Sequence, residues 1–293
     1  MRTNSNSLTL VLGATGKTGK RVARRLASRG VPIRIGSRSG APPFDWNDPE
    51  TWGPVLEGVR SAYLVYATDL AAPRAADTIR SFAAQAAAGG VRHLVLLSGR
   101  GEKEARQCEI AVQESGTAWT ILRSSWFSQN FSESFLCEAV ASGEVALPVH
   151  DIAEPFVDAD DVADVAVAAL TENGHTGKVY ELTGPRLLTF REAVGEIAAA
   201  TGRRIRYVPL SYQAFAGALT RQGVPPEDVE LLGYLFTTVL DGRNAYVTDG
   251  VQRALGLEPR DFRQYARRVA ASGVWPTGEV AQSRSVESRS SRA

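Results

Sequence analysis

The stretch Leu8–Gly19, LTLVLGATGKTG, constrains the fold of this 293-residue chain more than any other. Leu8 to Leu12 is a run of apolar and β-favouring residues long enough for one buried strand. Gly13, Gly16 and Gly19 follow at three-residue spacing, and Lys20–Arg29 (KRVARRLASR) then takes up helical periodicity, with Val22 and Leu26 on one face. Strand, glycine turn and helix start, in that order, are the context of a dinucleotide-binding fingerprint. Each glycine answers a physical need: the first a tight turn, the second close approach of backbone to a pyrophosphate, the third packing of helix on strand. The phosphates then meet unpaired N–H groups at the positive end of the helix, where Thr15, Lys17 and Thr18 add donors. Gly16-Lys17-Thr18 looks like the end of a P-loop, but that motif needs glycine five positions before Gly16, where Val11 stands. A glycine-rich turn that binds nothing is the bland alternative, and the flanking strand and helix weigh against it.

The second strand, Val31–Ser37, bears on the cofactor. A carboxylate at its end would hold ribose hydroxyls, whereas an arginine there suits a 2′-phosphate. The sequence reads Gly36-Ser37-Arg38-Ser39, with no carboxylate until Asp45. Arg38, with hydroxyls from Ser37 and Ser39, therefore predicts NADPH over NADH; a solvated turn arginine is the plain alternative. Asp45 and Trp46 stand where an adenine edge could be met. Further strands are predicted at Ser61–Tyr66, with Ala67 and Thr68 at its cofactor end, Val91–Ser98 and Ala118–Arg123; helices at Arg74–Ala88 and Glu102–Ser115 alternate with them. This alternation predicts an α/β fold: a doubly wound parallel Rossmann sheet with ligands at the strand C-terminal ends.

Composition narrows the function class. A net charge of +1 argues against a nucleic-acid partner and against a basic membrane patch. Cys108 and Cys137 stand apart, and His93, His150 and His175 lack zinc-ligand spacing, so no metal site is expected from them. The acidic run from Asp151 to Asp164 is conceivable as a metal site, but its carboxylates precede Val162–Leu170, where they suit a helix N-terminus. MRTNSNS is a polar start without an apolar signal, and no stretch approaches a membrane span, so a cytoplasmic protein is expected.

Four segments together resemble the NmrA-like group of atypical short-chain dehydrogenases/reductases, over about residues 8 to 210. They are the LVLGATGKTG opening; Thr120–Arg123 with Trp126, Phe127 and Asn130; Glu154–Asp158 through Asp161-Val162-Ala163; and Lys178–Gly184 with Leu188-Thr189-Phe190. The resemblance implies a Rossmann fold, NADP binding, and members that are either reductases or redox-sensing regulators. Ordinary short-chain dehydrogenases use a Tyr-x-x-x-Lys pair and a serine, the tyrosine giving a proton to a carbonyl oxygen. Ser98 ends its strand as the family serine would, and Glu109 matches a family glutamate. Counting back from Glu109, however, puts Ala105 and Gly101 where lysine and tyrosine should be, and no tyrosine occurs between Tyr66 and Tyr180. Ser98, Arg100, Lys103 or His150 could replace the donor, the substrate could assist itself through an adjacent phenol, or the protein could bind nucleotide without chemistry.

The expected domains are a nucleotide-binding one over 1–150, an interleaved substrate lobe and lid over 151–276, and a disordered tail over 277–293. In the lobe, Ser125–Ala141 reads as a helix with Phe127, Phe131 and Phe135 on one face. Tyr212–Leu240 reads as two helices broken at Gly223–Pro226, carrying Phe215 and enough apolar surface to cover a ligand. Ser98 for the substrate oxygen, with Arg100, Trp126, Phe127, Asn130, His150 and Phe215 around it, is the predicted pocket. The reading is an NADPH-dependent ketoreductase for an apolar, polycyclic aromatic molecule, as in group members that tailor aromatic polyketides, acting as a monomer or homodimer. The rivals are a nucleotide-sensing regulator and a quinone oxidoreductase.

Overall fold

A computed structural model describes residues 7–67 and 69–278 of the chain. Its first half runs β1 (Leu8–Leu12), α1 (Gly19–Ser28), β2 (Ile33–Gly36), α2 (Trp52–Leu56), β3 (Val59–Leu64), α3 (Ala75–Ala88), β4 (His93–Gly99), α4 (Lys103–Gln113) and β5 (Ala118–Ser124). The second half runs α5 (Leu136–Ser142), β6 (Glu144–Leu147), β7 (Ala153–Glu154), α6 (Ala159–Thr171), β8 (Lys178–Leu182), β9 (Leu188–Thr189), α7 (Phe190–Thr201), β10 (Arg206–Pro209), α8 (Tyr212–Arg221), α9 (Pro226–Tyr234), α10 (Gly250–Leu255) and α11 (Phe262–Ala271).

Six strands form one parallel sheet in the order β2-β1-β3-β4-β5-β8. The α/β expectation holds, with β8 returning to the sheet after the chain has left it. Alternation along β1 explains the layers: Leu10 and Leu12 face the core beneath α2, α3 and α4, while Val11 faces the core beneath α1, α6 and α10. A third core, around Phe131, Phe156, Phe190, Phe236 and Phe262, lies within the lobe built by α5, α7 to α9 and α11. The chain reverses between β1's neighbours β2 and β3, which opens a crevice at the carboxyl ends of the strands.

The acidic run has a structural use. Asp158 caps α6, its side chain accepting from Asp160 N at 2.9 Å, and also pairs with Arg268 at 2.6 Å. Asp160 and Asp164 take Arg25 of α1 at 2.7 and 2.6 Å, and Asp161 pairs with Arg260. The ion pairs tie α1 and α11 onto α6.

Ser125–Ala141 is not one helix. Trp126 to Ser128 runs extended beside Val157, with Val157 N donating to Trp126 O at 2.9 Å and Ser128 N to Val157 O at 2.8 Å. That pairing uses the backbone groups a helix would need, so only a 3-10 turn (Ser128–Phe131) and α5 form. Phe131 is buried and Phe135 exposed, so the spacing-four stripe does not exist. Tyr212–Leu240 does break at Gly223–Pro226, into α8 and α9, and a short π-helical turn, Leu235–Val239, follows. No helix among the described residues is long and apolar enough to cross a membrane.

Candidate active site

The glycine turn is built as its spacing demands. Gly13 has φ +65° at the end of β1, and a Cβ there would stand 2.9 Å from Val65 Cβ. A Cβ on Gly19, at the start of α1, would run into the Gly13 carbonyl and lie 2.9 Å from Ala14 N. Gly16 donates its N–H to Gly13 O at 2.8 Å, closing the turn between them. No acidic residue lies within the first turn of α1, and Glu133, which approaches it from outside, is paired with Lys20 at 2.8 Å and Arg21 at 2.7 Å. Thr15 and Gly16 are exposed, whereas Thr18 is turned inward. Burial holds the half-buried Lys17 ammonium below its ordinary value, with Glu133 opposing the shift.

Arg38 projects from the turn after β2, exposed, with no hydrogen bond or ion pair among the described residues. Ser37 and Ser39 flank it, and Ser37 O accepts from Gly40 N and Phe44 N at 2.9 Å. Asp45 and Trp46 are otherwise engaged. Asp45 accepts from Asn47 N at 2.9 Å, and Trp46, 7% exposed, packs edge-on to Phe44 and Phe82 while donating to Val65 O at 3.1 Å. Trp46 thereby braces the segment that meets Gly13. Ala67 is exposed beyond β3, and Thr68 lies outside the described residues.

At the carboxyl ends of β4, β5 and β8 the side chains form a charged network. Ser98, 3% exposed, donates its hydroxyl hydrogen to Glu109 Oε1 at 2.8 Å. Glu109, 1% exposed, also accepts from Arg123 Nε and Nη2, both at 2.7 Å, and from Arg106. Burial opposes ionisation of Glu109, but the hydrogen bonds from Arg123, Ser98 and Arg106 outweigh it and hold the carboxyl below its ordinary value. Buried Arg100 donates to Asn244 O at 2.9 Å and Tyr246 O at 3.0 Å, its guanidinium lying 4.0 Å from the Tyr246 ring centre. A cavity of about 560 Å³ opens beside them, lined by Arg100, Glu102, Lys103, Arg106, Arg123 and Arg243 among others.

The predicted pocket residues divide. Arg100 lines this cavity; Ser98 sits behind it, facing Glu109. Trp126 and Phe215 pack on Phe236, with ring centres 5.0 and 5.5 Å away, and so belong to the lobe core. Phe127 packs against the sheet layer. Half-buried Asn130 accepts from Ser134 Oγ through its backbone carbonyl at 2.6 Å and donates its backbone N–H to Phe127 O at 3.0 Å, while its side-chain amide has no partner among the described residues. His150 is exposed in the loop after β6.

Sequence reasoning gave no site role to Glu181, although it lies within the Lys178–Gly184 segment on β8, and missed Asn244 and Tyr246, which come from the segment before α10 and carry no motif. Glu154 was visible as a member of the acidic run and of the Glu154–Asp158 segment, with no site role read from either. It is 0% exposed with neither carboxyl oxygen partnered among the described residues, and burial, opposed by Arg100, pushes it up to about 7.

No protein-family model matches the chain. A Streptomyces griseus protein, (4-alkanoyl-5-oxo-2,5-dihydrofuran-3-yl)methyl phosphate reductase, is 35% identical over 88% of this chain and 96% of its own length. An NAD(P)H azoreductase of Xenophilus azovorans is 30% identical over 90% of this chain and 98% of its own. Among solved structures, Citrobacter sp. triphenylmethane reductase complexed with NADP(H) superposes with a TM-score of 0.71 at 21% identity, covering 90% of this chain and 99% of that one. With the glycine turn, the parallel sheet and full-length likeness to named reductases in place, the chain belongs to the NmrA-like, atypical short-chain dehydrogenase/reductase family of NAD(P)-dependent oxidoreductases.

Proposed function

We propose that this protein is an NADPH-dependent reductase of a small carbonyl compound. The observation that carries the reading is that one edge of the sheet holds both a glycine cradle, at β1, and a charged cavity, at β4, β5 and β8. The residues fit the cofactor: the cradle is backbone that a Cβ at Gly13 or Gly19 would fill, and Arg38 is an unpaired planar cation at the end of β2. Gly13, Gly16 and Gly19 would hold the pyrophosphate against the start of α1, with Thr15 and Lys17 alongside. Arg38, with Ser37 and Ser39, would hold the 2′-phosphate. When bound, NADPH supplies a hydride.

The cavity favours a carbonyl substrate that also carries an anion. Arg100, Lys103, Arg106, Arg123 and Arg243 line it against Glu109 and Glu181, while burial raises Glu102 to about 9 and keeps it neutral at pH 7. The substrate named for the Streptomyces griseus relative, a furanone phosphate, agrees with such a lining. A neutral polycyclic aromatic ketone is the second reading. It is favoured by the aromatic triphenylmethane dyes for which the Citrobacter sp. reductase is named, and it would require Trp126, Phe215 and Phe236 to part.

The cofactor assignment rests on one side chain. Arg38→Ala should weaken NADPH binding roughly tenfold or more, the worth of a charge-assisted hydrogen bond, while NADH binding changes little. Titration of reduced-nicotinamide fluorescence reads both affinities. Equal losses for the two cofactors would remove the argument for NADPH.

A further inference from the structure

Reduction of a carbonyl needs a proton as well as a hydride, and the usual tyrosine is missing. The structure shows why it cannot simply be restored. Gly101, where the tyrosine would stand, has φ +79°, and a Cβ there would meet the side-chain amide of Asn244, 2.7 Å from its Oδ1. Asn244 Nδ2 is fixed in that place by donating to Arg100 O at 3.1 Å. Ser98 has already given its hydrogen to Glu109, and Tyr234 Oη gives its own to Glu104 Oε2 at 2.6 Å.

The residue after Gly101 is Glu102. Its side chain folds back over the end of β4, so that a Cβ on Gly99 would lie 2.6 Å from Glu102 Oε2. There it lines the cavity, and its neighbour is the Asp69 carboxyl, which comes from the segment after β3 and accepts from Ala71 N at 2.8 Å. Two neighbouring carboxyls hold one proton between them at neutral pH, because ionising the second beside the first is costly.

We propose that Glu102, paired with Asp69, is the proton donor of the reduction, taking the role that Gly101 leaves unfilled. The proposal rests on the reductase reading. As hydride adds to the carbonyl carbon, the π pair moves to oxygen, the Glu102 O–H bond breaks, and its proton passes to that oxygen to give the alcohol. NADPH is oxidised to NADP+, and the ionised carboxyl pair regains a proton from water in the cavity. Burial first, and then the charge of Asp69, raise Glu102 to about 9, so the donor is loaded at neutral pH. The other charged or titratable groups around the pair are Glu104 and Cys108 of α4, Tyr234 of α9 and, lining the cavity, Arg100, Lys103, Arg106, Glu109, Arg123, Glu181, Arg243 and Tyr246.

The test is the pH profile of kcat at saturating NADPH and carbonyl substrate, with infrared titration of the carboxyls as a second readout. The wild type should lose rate as pH rises through about 9. Glu102→Gln should lower kcat about a hundredfold with NADPH affinity unchanged, and should remove a protonated-carboxyl band seen in the wild type at pH 7. Asp69→Asn, by removing a neighbouring negative charge, should move the high-pH limb about one unit lower. A Glu102→Gln enzyme with wild-type rate and profile, a Glu102 band that titrates in the ordinary carboxylate range, or a loss confined to Tyr246→Phe would overturn the proposal and leave the reductase reading standing. A wild type that turns over no carbonyl compound would overturn both.

Discussion

Glu109→Gln lowers the free energy of unfolding by about 3 kcal/mol at pH 7, read as a fall in the denaturant midpoint. The lost interaction is a buried carboxylate that accepts from Ser98, Arg106 and both nitrogens of the Arg123 fork. Breaking one side of such a pair typically costs 3–5 kcal/mol because the partner is left desolvated. The lower figure applies here because Arg123 keeps Glu181 at 3.2 Å. The pH dependence has a definite sign. Glu109 is held below its ordinary value of 4.5 in the folded chain, so its contribution is present above that value and disappears as pH falls through the lower folded pKa. The difference between wild type and variant should therefore shrink in acid. A difference that is the same at pH 7 and at pH 3 would mean that the carboxylate's charge is not what holds the network.

Gly19→Ala has a comparably large effect on a different property. The added methyl would enter the carbonyl of Gly13, which is backbone and has nowhere to rotate. Overpacking of this kind costs about 1–3 kcal/mol. Because the turn itself must open, NADPH affinity should fall at least about a hundredfold, which fluorescence titration measures. Gly16→Ala separates packing from ligand approach. Its Cβ would stand 3.2 Å from Gly13 O, a milder crowding that a small shift relieves, so it should cost less stability than Gly19→Ala while still hindering the pyrophosphate. Equal losses of stability at the two positions, read from denaturant midpoints, would show that close packing of helix on strand at Gly19 is not what the turn requires.

The sheet was legible because its signals are local. Leu8–Leu12 alternates between two cores, the glycines punctuate it, and α1 follows within the span of one motif. The exposed position of Arg38 was legible for the same reason, since it follows β2 directly. The aromatic residues were read less well. The spacing of Phe127, Phe131 and Phe135 fits a helix face, but the backbone before Phe131 pairs with Val157, thirty residues on in the chain. Trp46 sits near the cofactor side yet spends its ring on Phe44 and Phe82. The lobe's aromatics, read as a lid over a ligand, instead fill one another's gaps: Phe215 on Phe236, Phe236 on Trp126. The cavity itself was invisible in the sequence. Its far wall, Arg243 to Tyr246, reaches β4 from more than a hundred residues away through hydrogen bonds to and from Arg100. No periodicity encodes such an approach.

The most direct test of the account is isotope transfer. The protein is incubated with NADPH deuterated at the transferable position of the nicotinamide, and with carbonyl compounds of two kinds: phosphate-bearing and neutral aromatic. Product is then weighed by mass spectrometry. The account predicts alcohol that carries one deuterium on the former carbonyl carbon, formed faster from the phosphate-bearing compounds. NADPH bound tightly but never consumed, or consumed with no deuterium in any product, would contradict it.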